Sequence, residues 1–461
     1  MLLNFIVRSR KDAAAVEAMV ERFYPGWEAG VYTLKGARSA EAMLDAIQSI
    51  VERAPGFYVV LLGREDADKR EFLESMLPPN VAVHVVPRAR VRNARLEMLY
   101  YETVRARARL RLNLRWQDGV YVIGGSGEGL EGLEPEPSYE AFIGVGRFGR
   151  LVERLAGGRV GSNPLVVRAS GGLHLVYNGP RVRARLYIED RGFRPKAEIV
   201  GGEPVDLDLG RVVEANRGSI EAYVRASVEW LRSVGEGYDV VVVPWSGGKD
   251  STAALLLAME AFGKDSVRVV YGDTGTEFPA SREYVERVAR KLGIDYVVAY
   301  AGLDRELMKG APLPSHDNRW CTGLKIEAIE SAISDAAGGR RALVVVGDRD
   351  AESPRRSGRP PVREGTRRNL TVVAPLKPWG GVHVQLYILS RGLELNPMYG
   401  YGFYRIGCYM CPALRNWELY ALTSNIDLYV KLSRNAIFRR FIQARLRGGA
   451  SGGGDDCGCS I

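Results

Sequence analysis

The chain has few of the residues that build disulfide frameworks or dense metal sites: 5 cysteines and 4 histidines among 461 residues. So few thiols in so long a chain exclude a disulfide-stapled fold. No apolar run approaches the roughly 20 residues that span a bilayer. No charged-then-apolar leader opens the chain, and no internal repeat is found. These absences predict a cytoplasmic protein that meets no membrane. One-sided charge is also scarce, since 64 Lys and Arg against 55 Asp and Glu leave a net +9. That excess suits an anionic partner such as a nucleotide, a sulfate ester or a nucleic acid, without demanding one. Hydrophobic residues at 46% and charged residues at 26% exclude wholesale disorder. The length exceeds one hydrophobic core, so two or three domains are expected.

The cysteines say more by placement than by number. Cys321 stands alone, Cys408 and Cys411 form a C-x-x-C pair, and Cys457 and Cys459 lie in the last five residues. Rare thiols paired at this spacing bind metal or do redox chemistry more often than they fill a core.

Residues 2–7, 57–62 and 81–86 read as strands, and 13–23 and 40–51 as amphipathic helices, which makes a small α/β layer with a parallel component. A basic stretch follows. Arg105, Arg107, Arg109 and Arg111 alternate with Ala and Leu, and Asp118-Gly119 then turns into residues 120–123. The period of two predicts a hairpin with one charged face. That face would touch an RNA phosphate backbone, or serve only as a solvated edge strand kept from aggregating. Residues 125–137, rich in Gly, Glu and Pro, read as a linker. Short alternating runs at 165–168, 173–177, 182–188 and 196–200 predict a compact β module, and 220–234 predicts a helix.

The chemistry begins at residues 239–243, a β-branched run typical of a strand buried on both faces. Pro-Trp-Ser246-Gly247-Gly248-Lys249-Asp250-Ser251-Thr252 follows at once, and then a helical stretch. Strand, glycine turn and helix aim free N–H groups and a helix dipole at an anion. The glycines let backbone approach phosphate. Ser246, Ser251 and Thr252 supply hydroxyls, and Lys249 supplies a mobile charge. Asp250 would repel phosphate unless it holds Mg²⁺ or fixes the loop by accepting hydrogen bonds. The spacing is not that of the G-x-x-x-x-G-K-S/T loop.

Ser246–Ser251 resembles the pyrophosphate-loop (PP-loop) signature of the adenine nucleotide α-hydrolase-like superfamily, and four further segments resemble its phosphoadenosine phosphosulfate (PAPS) reductase branch. They are Asp273-Thr274-Gly275 with Phe278-Pro279, Arg319-Trp320-Cys321 with Lys325, Gly347-Asp348-Arg349 with Glu352-Ser353 and Arg355-Arg356, and Asn396-Pro397-Met398-Tyr399 running on to Arg405, Cys408 and Cys411. The five motifs span roughly 240–415. The resemblance implies a doubly wound parallel sheet over 211–447. An N-terminal α/β region over 1–124, a β-rich module over 138–210 and a flexible tail over 448–461 complete the expected organisation. The implied ligand is an adenine nucleotide (ATP, adenylyl sulfate (APS) or PAPS), held by Ser246–Thr252, Asp273, Thr274, Gly275, Arg319, Lys325, Arg349 and Arg355.

The chain departs from the family at its cysteines. Adenylyl sulfate reductases of the family hold a [4Fe-4S] cluster with a Cys-Cys pair and a later C-x-x-C, whereas Trp320 replaces the first cysteine here. Cys321, Cys408 and Cys411 could hold a three-thiolate cluster, a zinc ion, or no metal. Family reductases end in E-C-G-h-H with a nucleophilic cysteine. This chain ends Asp456-Cys457-Gly458-Cys459, without the histidine. The expected function is reduction of adenylyl or phosphoadenylyl sulfate, with Cys457 as nucleophile, Lys249 and Asp250 assisting, and a thioredoxin-like reductant. The rival is an ATP-dependent tRNA or RNA thiolase that takes its sulfur through a three-cysteine iron–sulfur cluster and uses the basic N-terminal region.

Overall fold

The computed structural model describes residues 1–189 and 194–447. Cys457, Cys459 and the rest of the tail lie outside the described residues. Four sheets use successive stretches of chain. The first comprises β1 (Leu3–Val7), β2 (Ala29–Thr33), β3 (Phe57–Leu62) and β4 (Val81–Val85), in order β2-β1-β3-β4. Every pairing in it is parallel, and every residue of β1 and β3 is buried. That is why both strands read as unbroken apolar runs rather than alternating ones.

The arginine row is not a strand. Leu96–Leu112 is one helix of 17 residues. Its Leu, Glu, Met, Arg and Ala are all good helix formers, and propensity overrides the apparent period of two. On a helix, successive steps of two residues swing to opposite sides, so the row splits into i,i+4 pairs. Arg105 is exposed and Arg109 half-buried on one side, whereas Arg107 and Arg111 are buried on the other. The charged RNA-facing surface expected of these four residues does not exist as drawn. The Asp-Gly hairpin is real but pairs other residues: β5 (Leu114–Gln117) and β6 (Val120–Ile123), joined by Asp118 and Gly119, both at positive φ. The short β7 (Glu128–Gly129), inside the expected linker, adds to the far side of β5.

The third sheet is an antiparallel meander of β8 (Glu140–Ile143), β9 (Leu165–Arg168), β10 (Leu173–Asn178), β11 (Arg181–Tyr187) and β12 (Lys196–Ile199). The sequence pattern missed β8, an edge strand that begins on a glutamate. The backbone of Ile143 is satisfied by one side chain: its N–H donates to Gln385 Oε1 at 2.8 Å, and its carbonyl accepts from Gln385 Nε2 at 2.9 Å. Gln385 thus stands in for a neighbouring strand.

The fourth sheet contains β13 (Val240–Trp245), β14 (Val267–Asp273), β15 (Tyr296–Tyr300), β16 (Ala342–Val345), β17 (Val362–Glu364) and β18 (Leu370–Val373), in order β15-β14-β13-β16-β18-β17. All are parallel except β17 against β18. From β13 the chain winds outward to β15, then returns to β16 on the other side of β13. The loops after β13 and β16 therefore diverge at the sheet's carboxyl edge, where such folds bind ligands. This is the doubly wound α/β architecture expected. One apolar core runs through it, joining Phe5 and Phe57, Leu165 and Tyr177, and Val243 and Trp379.

Arg107 ties the N-terminal helix to the loop after β16. It is 4% exposed, it pairs with Asp350, and its guanidinium lies 4.5 Å from the Trp27 ring centroid. Asp350 also meets Lys377 at 2.9 Å. Removing one member of a buried pair strands the other. Arg107→Ala is expected to lower stability by about 3 kcal/mol in chemical denaturation, and an unchanged midpoint would contradict the pairing's role.

Candidate functional site

The site begins where β13 ends. The chain turns through Ser246-Gly247-Gly248 into the helix Lys249–Phe262, whose N-terminus faces a cavity of about 280 Å³. Gly247 has φ +72°, and a Cβ there would lie 2.8 Å from Val285 Cγ2, so both conformation and space require glycine. Gly248 has ordinary φ, and its nearest neighbour, Ser246 Oγ, would be 3.4 Å from a Cβ. Ser251 Oγ accepts from the Ser246 N–H at 3.2 Å and lies 3.0 Å from Ser246 Oγ. The Asn396–Tyr399 segment clamps the turn from outside. Asn396 Nδ2 donates to the Gly247 carbonyl at 3.0 Å, and the Lys249 N–H donates to the Tyr399 hydroxyl at 3.0 Å. The result is a rigid anion cradle at a helix N-terminus.

Asp250 answers the question its position raised. Its Oδ1 accepts from Arg349 Nε at 2.6 Å and its Oδ2 from Lys249 Nζ at 2.8 Å. Burial alone would raise its pKa, but Arg349 and Lys249 outweigh that and hold the carboxyl well below the usual range. Asp250 therefore fixes the loop. Lys249, 10% exposed at its side chain, is turned to Asp250 rather than into open solvent. Arg349 extends the chain of charges, since its Nη1 donates to Glu140 Oε2 at 2.6 Å, and Glu140 Oε1 accepts from the Gly381 N–H at 2.6 Å. Gly347 permits this approach: a Cβ there would sit 2.7 Å from the Asp250 carbonyl oxygen.

Several expected ligands are placed elsewhere. Thr252 is 0% exposed, and its hydroxyl accepts from the Trp245 indole at 2.9 Å, so it packs the core instead of donating to phosphate. Asp273 accepts from the Gly275 N–H at 2.8 Å and pairs with Arg282. Thr274 contacts Thr276 and Glu277. This segment shapes the end of β14, and from its neighbourhood only Gly272 and Glu277 reach the cavity wall. Arg319 occupies the N-cap position of the helix Trp320–Ala337 without a side-chain capping bond, whereas Lys325, in the helix's second turn, lines the cavity. Arg355 is exposed and outside the lining, and its neighbour Arg356 is inside it. Ser246, Gly248, Lys249, Asp250, Ser251 and Arg349 line the cavity as expected, with Gly247 forming the turn behind them.

An iron–sulfur cluster needs thiolates converging on one point. Among the described residues, no three His, Cys, Asp or Glu side chains are so arranged. The Cys408 thiol instead contacts Thr274 Oγ1 at 3.2 Å and Glu277 Oε1 at 3.7 Å. Burial, and then Glu277, push its pKa up, and burial does the same to Cys321. Cys321, Cys408 and Cys411 therefore do not fit a cluster in this arrangement. Cys408 and Cys411 line the cavity, and Cys321 does not.

Sequence reasoning missed one wall entirely. Glu140, Phe142 and Arg168, from β8 and β9, line the same cavity as the phosphate loop. The available signal was a charge inside an otherwise apolar strand. Tyr404 and Arg415 were also missed, although they flank the quoted Arg405 and C-x-x-C segment. Seven cationic side chains line the cavity against five carboxylates. That balance suits a polyanion.

Residues 240–414 match the phosphoadenosine phosphosulfate reductase domain family. An uncharacterised protein of Methanocaldococcus jannaschii is 33% identical over 258 residues, 55% of this chain and 53% of its own length. The match thus spans about half of that relative. An adenosine 5′-phosphosulfate reductase of Rhodococcus erythropolis is 24% identical over 208 residues, 43% of this chain and 82% of that protein. The crystal structure of a phosphoadenylyl-sulfate reductase from Candida auris, in phosphate complex, aligns with TM-score 0.34 and 16% identity over 42% of this chain and 95% of that one.

The loop geometry predicts unequal glycines. Gly247→Ala incurs strain of about 1–2 kcal/mol in the left-handed region, so adenosine monophosphate affinity should fall about tenfold or more in calorimetry. Gly248→Ala should stay within about threefold, a ratio worth less than 1 kcal/mol, and equal losses would contradict the geometry. The Asp250–Arg349 pair predicts a pH dependence. A depressed carboxyl stabilises the fold above its unfolded pKa, near the ordinary 3.8, and that contribution fades as pH falls through the lower folded value. Arg349→Met removes most of the depression, so the variant starts less stable but should lose less further stability than the unsubstituted protein as pH falls below about 3.8. Superimposable acid-unfolding curves, after normalisation, would refute the bridge.

Proposed function

From residues 240–414 forming a domain of the phosphoadenosine phosphosulfate reductase family, within the PP-loop superfamily, we propose that the protein reduces adenylyl sulfate or phosphoadenylyl sulfate to sulfite. The observation that carries this reading is the cation-rich cavity at the switch point, walled by the phosphate loop, Lys325, Arg349 and the Arg405–Cys411 segment. The helix N-terminus and the Ser246 and Ser251 hydroxyls hold the nucleotide's 5′-phosphate, while the Ser246 and Lys249 N–H groups keep the turn in shape through Ser251 Oγ and the Tyr399 hydroxyl. Asp250 keeps the loop in shape through Arg349, and Lys249 screens the incoming charge.

The nucleophile is Cys457, reached through the Gly-rich stretch that precedes it in sequence. Its thiolate attacks the sulfate sulfur, the S–O bond to phosphate breaks, and AMP or adenosine 3′,5′-bisphosphate leaves with the electron pair. A second thiolate, from Cys459 or a thioredoxin-like dithiol, attacks Cys457 Sγ. A disulfide forms and sulfite departs, its sulfur reduced by two electrons. An external dithiol then restores the thiols. This setting is cytoplasmic, where such dithiols are kept reduced, and no described helix is long and apolar enough to cross a membrane.

RNA thiolation with ATP and Mg²⁺ would use the same loop. The basic N-terminal row lends it less support than the sequence suggests, because Arg107 and Arg111 are buried. Cys457→Ser, or deletion of residues 455–461, should abolish sulfite release from both sulfated nucleotides while AMP affinity stays unchanged. Tail-independent thiolation of RNA, with no sulfite from either nucleotide, would overturn the proposal.

A further inference from the structure

The wall built by β8 and β9 lies outside the family-matched segment, yet it faces the same cavity as the phosphate loop. Arg168 ends β9 there. It donates to a backbone carbonyl, Ala351 O, at 2.6 Å from Nη2, and the Glu140 carboxylate is its electrostatic partner. A guanidinium carries five donors, and the bond to Ala351 uses one of them. Beside it, Phe142 stacks on Tyr404 with centroids 5.0 Å apart and planes at 23°. The Tyr404 hydroxyl is buried and has no hydrogen-bond partner among the described residues. It sits within electrostatic reach of one carboxylate, Glu418, and of three cations, Arg415, Arg168 and Arg405. A buried hydroxyl without a partner is costly unless a ligand completes it.

We propose that Arg168 and the Tyr404 hydroxyl form an oxyanion subsite, which receives the second anionic group of the nucleotide, the one joined to its 5′-phosphate. The phosphate loop holds the first group and cannot itself tell a monophosphate from a longer chain. The added wall supplies that discrimination. Tyr404 is held in place by its stack on Phe142, and Arg168 by its bond to Ala351, so both donors are preorganised on strand and loop. The subsite rests on the proposed use of the cavity for a nucleotide. It takes a tetrahedral oxyanion, which a sulfate in a phosphosulfate or a β-phosphate in ADP or ATP could provide.

Calorimetry with AMP, adenylyl sulfate, ADP and ATP, on the intact chain, tests it. The unsubstituted protein should bind at least one of the three longer nucleotides more tightly than AMP. Arg168→Leu and Tyr404→Phe should each lower affinity for that nucleotide about tenfold, with AMP affinity unchanged. Arg168→Lys, which keeps the charge but loses the fork, should fall between. Unchanged AMP affinity also reports that each variant is folded. If adenylyl sulfate is not preferred but ADP or ATP is, and the variants erase that preference, the subsite stands and the reductase reading fails. If the variants weaken AMP equally, or weaken nothing, or if the unsubstituted protein binds all four alike, the subsite is overturned.

Discussion

The structure depends on one guanidinium. Arg349 is 2% exposed and holds two carboxylates that come from distant parts of the chain, Asp250 of the phosphate loop and Glu140 of the β8–β12 sheet. Burying a cation alone would be prohibitive, and burying either carboxylate alone equally so. Together they satisfy one another, and the geometry that satisfies them fixes the phosphate loop against the added wall. The next residue repeats the device, with Asp350 between Arg107 and Lys377. The loop after β16 is therefore the joint through which the N-terminal helix, the β-rich sheet and the nucleotide cradle meet. A shift in any of these units would be felt at the cavity through these charged contacts as well as through the apolar core the units share.

The sequence was most legible where local chemistry and fold agree. Residues 57–62 and the run before Ser246 are apolar on both faces because parallel strands are buried on both faces, and both are strands. The Ser246–Ser251 loop was readable because strand, glycines and helix leave little else for the backbone to do. The Asn396–Tyr399 motif was recognised, but its contacts with the loop backbone were not.

The failures have a common physical origin. The role of Arg349 could not be read because its partner Glu140 is 209 residues away, and pairing at that separation leaves no local pattern. The arginine row misled because alternation of Arg with Ala and Leu satisfies a period of two, while every residue in it also favours a helix. Thr252 misled for the opposite reason. Its position beside Ser251 suggested a phosphate contact, but one further step along the helix turns it inward to Trp245. Each error came from judging a side chain by its sequence neighbours when its spatial neighbours decided its use.

The central claim is that one cavity, with the phosphate loop on one side and the β8–β9 wall on the other, holds the substrate nucleotide. A crystal structure of the protein with adenylyl sulfate bound tests it most directly. The account predicts the 5′-phosphate at the N-terminus of the Lys249–Phe262 helix, against the Ser246–Ser251 turn, and the sulfate within hydrogen-bond distance of Arg168 and the Tyr404 hydroxyl. A nucleotide bound elsewhere, or bound at the loop with its sulfate turned away from that wall, would contradict it.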